Sequence, residues 1–268
     1  MDKKFKANPY NKNNFLINFS DVVNILESLD INDFKVNDIN HYRKAFIHES
    51  YTTNIDYSEF ENSSNSLPLQ DTSYETMEFL GDSLLGSVVC NYLYKRYTLI
   101  HNENEGFLTK LKNKIVNGES LAYLADLLDF NKFLVISNHL EVNCDGRNNK
   151  NILEDTLEAF ICAIYLDTKD YYLVEKFIIT LIEKYVDFSD LIINDTNYKD
   201  KLLRYVQHNY LVNPIYKTTK LDNDKFKSDI YRLSEDGEIF ICSGEDISKK
   251  KAEQLASKKA LIHYGVLN

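Results

Sequence analysis

Two short acidic motifs, each set in an apolar helical pattern, constrain this chain more than any other feature of its sequence. The first, within residues 74–83, places Glu78 and Asp82 four positions apart. The second, within residues 153–160, places Asp155 and Glu158 three positions apart. On a helix, both spacings put the two acids on one face. Two like charges so placed cost a helix roughly a few tenths of a kcal/mol.

Apolar residues flank both pairs, so each pair borders a buried stripe. Phe79 and Leu80 adjoin the first pair, and Ile152, Leu157 and Ile161 surround the second. If the two helices pack together, four carboxylates converge, and they cannot all stay ionised without cations. Oxygen-only ligands favour Mg²⁺ or Mn²⁺. One acidic pair alone is more often a solvated helix face, but two pairs that both lack a Lys or Arg at i±4 favour a metal site.

Helical periodicity dominates residues 20–193, where glycine is scarce and strand alternation is weak. This pattern predicts an all-α unit. The strongest apolar pattern follows Tyr74, and its expected buried face comprises Phe79, Leu80, Leu84, Val88 and Leu93. The predicted helices begin at Ser20 and include residues 40–48, 74–97, 106–116, 120–128, 151–166 and 171–185.

Two segments of this half lack a helical pattern. Residues 1–19 are rich in Asn and Lys, which predicts a mobile or loosely packed N-terminal arm. Residues 52–73 are polar, contain Pro68 and have no period, which predicts a long surface loop or a disordered insertion.

The C-terminal residues 196–268 form a module of different charge. They contain 13 Lys and Arg against 10 Asp and Glu, net +3, whereas the rest of the chain is net −13. The whole-chain charge of −10 taken alone argues against a polyanionic partner, and its division between two modules removes that objection. A helix at 198–209, β-type runs at 214–221, 225–233 and 238–243, and a helix at 248–264 predict a small α+β domain of order α-β-β-β-α.

Three lysines, Lys249, Lys250 and Lys251, open the last predicted helix behind a Ser248 cap. Cations in a first turn oppose the helix dipole and lower helix stability. A run of three lysines is usually a solvated charge run. Their unfavourable position beside free backbone N–H groups instead favours phosphate binding.

The acidic motifs resemble those of a known family. Glu-x-x-Glu-Phe-Leu-Gly-Asp-Ser-Leu-Leu, at residues 75–85, resembles the defining motif of ribonuclease III. Asp-x-x-Glu-Ala-x-x-x-Ala-x-Tyr-Leu-Asp, at residues 155–167, resembles the second acidic motif of that family. Residues 45–51 and 105–109 resemble two further segments, and the order and approximate spacing match from about residue 20 to residue 190.

The resemblance implies an all-α ribonuclease III-type endonuclease domain over residues 20–193 that works as a homodimer. It also implies the site residues. Glu75 and Glu105 match accessory acids of the family. The implied catalytic residues, which are also the implied ligands of Mg²⁺ (or Mn²⁺), are Glu78, Asp82, Asp155 and Glu158.

The chain departs from the family pattern at several positions. Tyr74 and Thr76 stand where the family often has Asn and Arg, which changes the hydrogen bonding expected near Glu75. Cys162 replaces a small glycine. Asn151 stands where a Lys is often found, with Lys150 one place away.

Residues 196–268 resemble a double-stranded RNA-binding domain. Lys249 and Lys250 occupy its phosphate-clamping positions, with Lys251 beside them, and Gln207 matches a polar position of the helix that reads 2′-hydroxyls. The loop at 222–225 lacks the usual Gly-Pro-x-His type sequence, so we expect weaker or altered RNA contact from it.

The resemblance implies an endoribonuclease that cleaves double-stranded RNA by two-metal hydrolysis and leaves 5′ phosphate and 3′ hydroxyl ends, in RNA processing or in degradation of duplex RNA. Two alternatives remain open. One is a catalytically silent protein that sequesters duplex RNA. The other is a helical metal-dependent hydrolase of small phosphate esters, which the basic C-terminal module disfavours.

The remaining sequence features bear on location. The apolar runs are too short to cross a membrane, and the N-terminal segment lacks a signal-peptide layout. The four cysteines are widely spaced, which predicts free thiols in a reducing compartment. We expect an intracellular protein that is not secreted, with the cytoplasm favoured over the nucleus.

Overall fold

The computed structural model describes residues 7–32, 34–62, 65–193, 197–235 and 237–267. The chain divides into two compact units, Met1–Phe188 and Ser189–Asn268. The division falls a few residues before the predicted boundary at 194–197, most of which lies outside the described residues. Residues 1–6 of the predicted arm also lie outside them.

The first unit is helical, as predicted. Strand-like pairing in its described part is limited to isolated bridges, Ile47 with Val135 and Thr52 with Gln70. Helix α3 continues through a π-helical turn at Tyr94–Thr98 into a short turn at Leu99–His101. Helices α6 and α9, which are short, were not predicted. The helices are α1 Phe19–Glu27, α2 Ile39–Ala45, α3 Glu75–Leu93, α4 Glu105–Ile115, α5 Gly118–Leu127, α6 Asn138–Cys144, α7 Lys150–Thr168 and α8 Tyr171–Tyr185. A further helix, α9 Phe188–Ile193, begins at the last residue of this unit and continues in the second unit.

Helix α7 is the central helix of this unit. All of residues 156–164 are buried, so the helix is enclosed on every side over more than two turns. The Phe160 ring lies at the middle of an aromatic cluster, 5.0 Å from Phe130 and 5.7 Å from Phe177 between ring centroids. This burial holds the second acidic motif in a rigid, densely packed environment.

The buried face of α3 differs from the predicted one. Phe79 is 78% exposed, so its predicted place in the core is wrong. The residues that α3 buries are instead Met77, Gly81, Leu85, Val88, Val89 and Leu93. Apolar residues occupy more than one side of α3, so periodicity alone did not identify the side that faces α7.

The N-terminal arm is packed in its described part, so the prediction of a loose arm is wrong for residues 7–19. Asn11 and Asn14 are buried, and both side-chain amides donate to the carbonyl of Ile136, at 3.2 and 2.8 Å. Arg147 donates to the Asn14 side chain at 3.2 Å. Ile17 is buried in the core. The side-chain amides of Asn11 and Asn14 therefore serve the Ile136 carbonyl as donors in place of backbone N–H groups.

In its described residues, 52–62 and 65–73, the polar segment is a surface loop anchored at both ends, which fits the first of the two predicted alternatives. Thr53 donates its backbone N–H to Gln70 at 2.8 Å, and Gln70 donates to the carbonyl of Tyr51 at 3.0 Å. The Tyr51 hydroxyl donates to the carbonyl of Leu67. Leu67 and Leu69 pack on a small cluster that contains Ile47.

The second unit has the predicted order α-β-β-β-α. Its sheet is antiparallel with strand order β1-β2-β3, and both helices pack on one face around Leu202, Val206, Ile230 and Leu261. Gly244 lets β3 approach the second helix, because a Cβ there would lie 2.4 Å from the Ala256 nitrogen. The elements are α10 Tyr198–Tyr210, β1 Pro214–Lys220, β2 Phe226–Ser234, β3 Gly237–Asp246 and α11 Lys249–His263.

No helix in the described ranges is both long and apolar enough to cross a membrane. The four cysteines are free, as predicted.

Candidate active site and duplex-binding face

A glycine contact brings the two acidic motifs together. Gly81 of α3 lies directly on the backbone of Glu158 in α7: a Cβ at Gly81 would stand 1.8 Å from the Glu158 carbonyl oxygen. Because Glu78 and Asp82 are three residues before and one residue after Gly81, this contact places the first acidic pair beside the second. The helix packing that the motifs predicted is therefore present.

Glu158 is the most deeply buried of the four acids. Glu158 is only 7% exposed, and its carboxyl group lies among other carboxylates. Burial, followed by the charges of Asp82, Glu154, Glu78 and Asp155 in that order, raises the pKa of Glu158 from 4.5 to about 8. Unless a cation binds near it, this carboxyl is therefore largely protonated at neutral pH.

Asp155 is half-buried and has one hydrogen-bond donor. The Tyr74 hydroxyl donates to its Oδ2 at 3.3 Å. Burial raises the pKa of Asp155, and the hydrogen bond from Tyr74 opposes that rise. Tyr74 was noted in the sequence as a departure near Glu75, and the structure instead places its hydroxyl on Asp155.

The pair on α3 lies at the surface of this cluster. Glu78 is half-buried and Asp82 is exposed. Burial raises the pKa of Glu78, with further contributions from the charges of Asp155, Glu75, Glu154 and Asp82. The structure thus brings all four predicted ligands into one electrostatically coupled group.

A fifth acid, Glu154, joins the group and was missed in the sequence. Its carboxylate lies over Gly118, the first residue of α5, where a Cβ would stand 2.2 Å from Oε2. Burial raises the pKa of Glu154, followed by the charges of Asp155 and Asp82. The available signal was its position one residue before Asp155, on the same turn of α7.

The two predicted accessory acids occupy different places. Glu75 is exposed and shares a hydrogen bond with the Glu49 side chain; burial, then the charge of Glu49 and that hydrogen bond, raise the pKa of Glu75. Glu105 opens α4 and accepts a hydrogen bond from Thr109 at 3.0 Å. Glu75 therefore borders the acidic group, whereas no contact in the described residues joins Glu105 to it.

Lys150, the candidate for the missing family lysine, is engaged elsewhere. Its Nζ lies 2.6 Å from Oε1 of Glu119 in an exposed ion pair. Asn151 is exposed. The basic residue that would replace the family lysine is thus paired with an acid of α5.

The charge balance of the group fits a cation. The charges that shift the pKa of Glu78, Glu154 and Glu158 all come from carboxylates. Among the described residues, no set of three or more His, Cys, Asp or Glu side chains is already arranged to hold a metal ion. The donor types suit a hard, oxygen-preferring ion, and binding requires the side chains to rearrange.

In the second unit, the lysines stand where the sequence placed them. Ser248 caps α11, and Lys249, Lys250 and Lys251 form its exposed first turn. Within the described ranges, no acidic side chain forms an ion pair with any of the three. Three cations therefore lie beside the N–H groups of a helix start, an arrangement whose charge suits phosphate oxygens.

The other predicted RNA contact, Gln207, is exposed, and polar groups near it on α10 are locally bonded. Gln207 donates to the Asn213 side chain at 2.9 Å, and Arg204 pairs with Asp200 at 3.2 Å. Lys220, the last residue of β1, pairs with Asp224 of the loop between β1 and β2 at 2.7 Å. The loop therefore offers fewer free cations than the start of α11.

Comparisons with known proteins agree with this division. The family model described as "Ribonuclease-III-like" matches residues 38–184, and the model described as "Double-stranded RNA binding motif" matches residues 198–264. The ribonuclease 3 of Borreliella afzelii is 36% identical over 245 residues, which cover 87% of this chain and 86% of that protein. The chain belongs to the ribonuclease III family. It combines a nuclease domain of that family with a double-stranded RNA-binding motif.

The chain is also similar to two further proteins. The probable ribonuclease 3 of Acanthamoeba polyphaga mimivirus is 33% identical over 276 residues, which cover 98% of this chain. Those residues cover 48% of the mimivirus protein, so this ribonuclease III-family chain spans about half of that relative. The nuclease domain of ribonuclease III from Campylobacter jejuni is 31% identical, with a TM-score of 0.48, and the match covers 60% of this chain and 96% of that one.

Proposed function

We propose that this ribonuclease III-family chain is an endoribonuclease that hydrolyses phosphodiester bonds of double-stranded RNA with Mg²⁺, leaving 5′ phosphate and 3′ hydroxyl ends. The observation that carries the proposal is the close contact of Gly81 with Glu158, which assembles both acidic motifs of the family into one group. Mn²⁺ is expected to substitute, because it prefers the same oxygen ligands.

Glu78, Asp82, Asp155 and Glu158 would hold the metal. Bound Mg²⁺ would supply a water of lowered pKa and would neutralise negative charge that develops at the phosphate. The buried Glu158 would lose its proton when the ion binds, because a neighbouring cation favours the charged carboxylate. Asp82 and Glu78, nearer the surface, would face the entering RNA backbone.

The rest of the machinery holds the duplex. The lysines Lys249, Lys250 and Lys251 would bind phosphates across a groove, and Gln207 on α10 would contact the minor groove. These contacts read the shape and backbone of the duplex and carry little base specificity. Because the first module has a net charge of −13, duplex binding should be weak without this basic tail or at high salt, and divalent ions should strengthen it.

A homodimer would give two active sites, one for each strand of a duplex. One nuclease domain supplies one acidic group per chain, so two-strand cleavage needs a second copy related by two-fold symmetry. Phe79, 78% exposed on α3 beside Glu78, is a large apolar side chain that such an interface would cover. Light scattering of the full chain should give the mass of a dimer, and Phe79→Ser should reduce that mass without unfolding the domain.

The proposal is tested by supplying three substrates to the full chain in Mg²⁺: a long RNA duplex, single-stranded RNA and p-nitrophenyl phosphate. Cleavage of the duplex alone, with products that a 5′-phosphate-dependent exonuclease degrades and a ligase joins through their 3′ hydroxyls, is the expected result. Duplex binding without cleavage in either Mg²⁺ or Mn²⁺ would support a sequestering protein instead. Preference for p-nitrophenyl phosphate would indicate a hydrolase of small esters.

A further inference from the structure

We infer that Tyr74 is a positioning residue for the proposed metal ligand Asp155, an inference that rests on the proposed function. The Tyr74 side chain is only 2% exposed, and its hydroxyl donates to Oδ2 of Asp155 at 3.3 Å. This bond joins the start of α3 to the first turns of α7. A donor on one carboxylate oxygen fixes the orientation of the group and directs the other oxygen, Oδ1, to an ion.

Tyr74 is itself held from three directions. Its backbone N–H donates to the carbonyl of Ile47 at 2.9 Å, and its own carbonyl accepts from Met77 at 2.7 Å and Glu78 at 3.0 Å. The Tyr74 ring packs edge-on against the His48 ring, with centroids 5.8 Å apart. Tyr74 therefore starts the helix that carries Glu78 while its hydroxyl bonds the acid on the other helix.

The Tyr74 hydroxyl matters because the other charged groups near Asp155 repel its carboxylate. The acids around it, Glu78 and Glu154, carry the same charge, and their pKa values are raised partly by Asp155. Without the Tyr74 hydroxyl, no donor in the described residues would oppose rotation of the Asp155 carboxylate away from its neighbours. The loss of such an orienting bond typically lowers metal affinity or rate by about 10–100-fold.

Tyr74→Phe removes the hydroxyl and keeps the ring. The matched control is Tyr42→Phe, since Tyr42 is also fully buried and its hydroxyl also donates to an aspartate, Oδ2 of Asp167, at 3.1 Å. Asp167 accepts backbone N–H groups of Asn37 and Asp38 and lies outside the acidic group. Both variants lose one tyrosine hydroxyl–aspartate bond, but Asp167 keeps its backbone donors and Asp155 keeps no donor among the described residues.

Two readouts separate positioning from general stability. In duplex cleavage, Tyr74→Phe should lower kcat about 10-fold and raise the half-saturating Mg²⁺ concentration, with KM for RNA unchanged and with Tyr42→Phe close to the unmutated chain. In thermal denaturation, the Mg²⁺-induced rise in Tm should be smaller for Tyr74→Phe than for Tyr42→Phe.

Equal Mg²⁺ dependence of Tm in the two variants would overturn the inference. That comparison needs no activity, so it also decides the role of Tyr74 if the unmutated chain cuts no duplex and the proposed function fails. Cleavage by the unmutated chain together with identical kcat in the two variants would overturn the inference and leave the proposed function intact.

Discussion

The contact between α3 and α7 leaves no room for a side chain at Gly81, which makes Gly81→Ala a demanding test of the site. Its Cβ would stand 1.8 Å from the Glu158 carbonyl oxygen and 2.4 Å from the carbonyl carbon, where 3.4 Å or more is ordinary contact. Both neighbours are backbone atoms, so no side-chain rotation relieves the overlap. The two helices must separate by roughly 1.5 Å or distort, because packed interiors have little free space.

Gly86→Ala on the same helix is the matched control. A Cβ at Gly86 would meet only the Lys112 Nζ, at 3.8 Å. Alanine is better than glycine in a helix interior by about 1 kcal/mol, so Gly86→Ala should stabilise slightly. At Gly81 the same gain is outweighed by overpacking, which costs typically about 1–3 kcal/mol and sometimes more. For a unit of this size, each kcal/mol changes Tm by about 2–4 °C.

Because the overlap is with backbone, we take the upper end of that cost, about 3 kcal/mol, which leaves a net loss of about 2 kcal/mol after the helix gain. We therefore expect Gly81→Ala to lower Tm by about 4–8 °C and Gly86→Ala to leave it equal or slightly higher. Circular dichroism at 222 nm measures both. Where Gly81→Ala still folds, its cleavage rate should fall about 100-fold, because a displacement near 1 Å separates groups that must act together. A Gly81→Ala protein as stable and as active as Gly86→Ala would refute the assembly of the site at this contact.

Two further predictions concern the buried acid and the basic helix start. In EDTA, Tm should fall as pH rises from 6 to 8.5, because the folded state keeps the Glu158 proton up to about pH 8 whereas the unfolded chain releases it near 4.5. Glu158→Gln should remove much of that fall and raise Tm at pH 8.5. The exposed Glu27→Gln, as the control, should do neither. A dependence of Tm on pH that Glu158→Gln leaves unchanged would contradict the link between Glu158 protonation and stability. The double variant Lys249→Ala, Lys250→Ala should weaken duplex binding about 10-fold and reduce the salt slope by about 2, with Lys259→Ala as control. Equal salt slopes for the double variant and the unmutated chain in a filter-binding assay would exclude Lys249 and Lys250 as phosphate contacts.

Local sequence patterns predicted much of this molecule because its chemistry is concentrated in short motifs. The spacing of Glu78 and Asp82, and of Asp155 and Glu158, is a property of a single helix and can be recognised without tertiary structure. The net +3 of residues 196–268 and the lysines at the start of α11 likewise depend only on neighbours in the chain.

The errors lie where distant parts of the chain meet. Phe79 looked like a core residue because it is apolar, yet the side of α3 that faces α7 is set by Gly81, whose role appears only when Glu158 lies opposite. Asn11 and Asn14 suggested a loose arm by composition, yet each amide finds the Ile136 carbonyl more than 100 positions away. Glu154 has only its place beside Asp155 as a signal in the sequence, because its contact with Gly118 of α5 and its nearness to Asp82 of α3 arise from the tertiary fold.

The most direct test of the account is single-turnover cleavage of a long RNA duplex by the full chain in Mg²⁺, with Glu158→Gln and Glu27→Gln measured in parallel. Duplex binding by each protein is measured at the same salt concentration. The account predicts that the unmutated chain and Glu27→Gln cut at equal rates, whereas Glu158→Gln binds the duplex and cuts at least about 1,000-fold more slowly, a loss of roughly 4 kcal/mol in transition-state stabilisation. Undiminished cleavage by Glu158→Gln would contradict it.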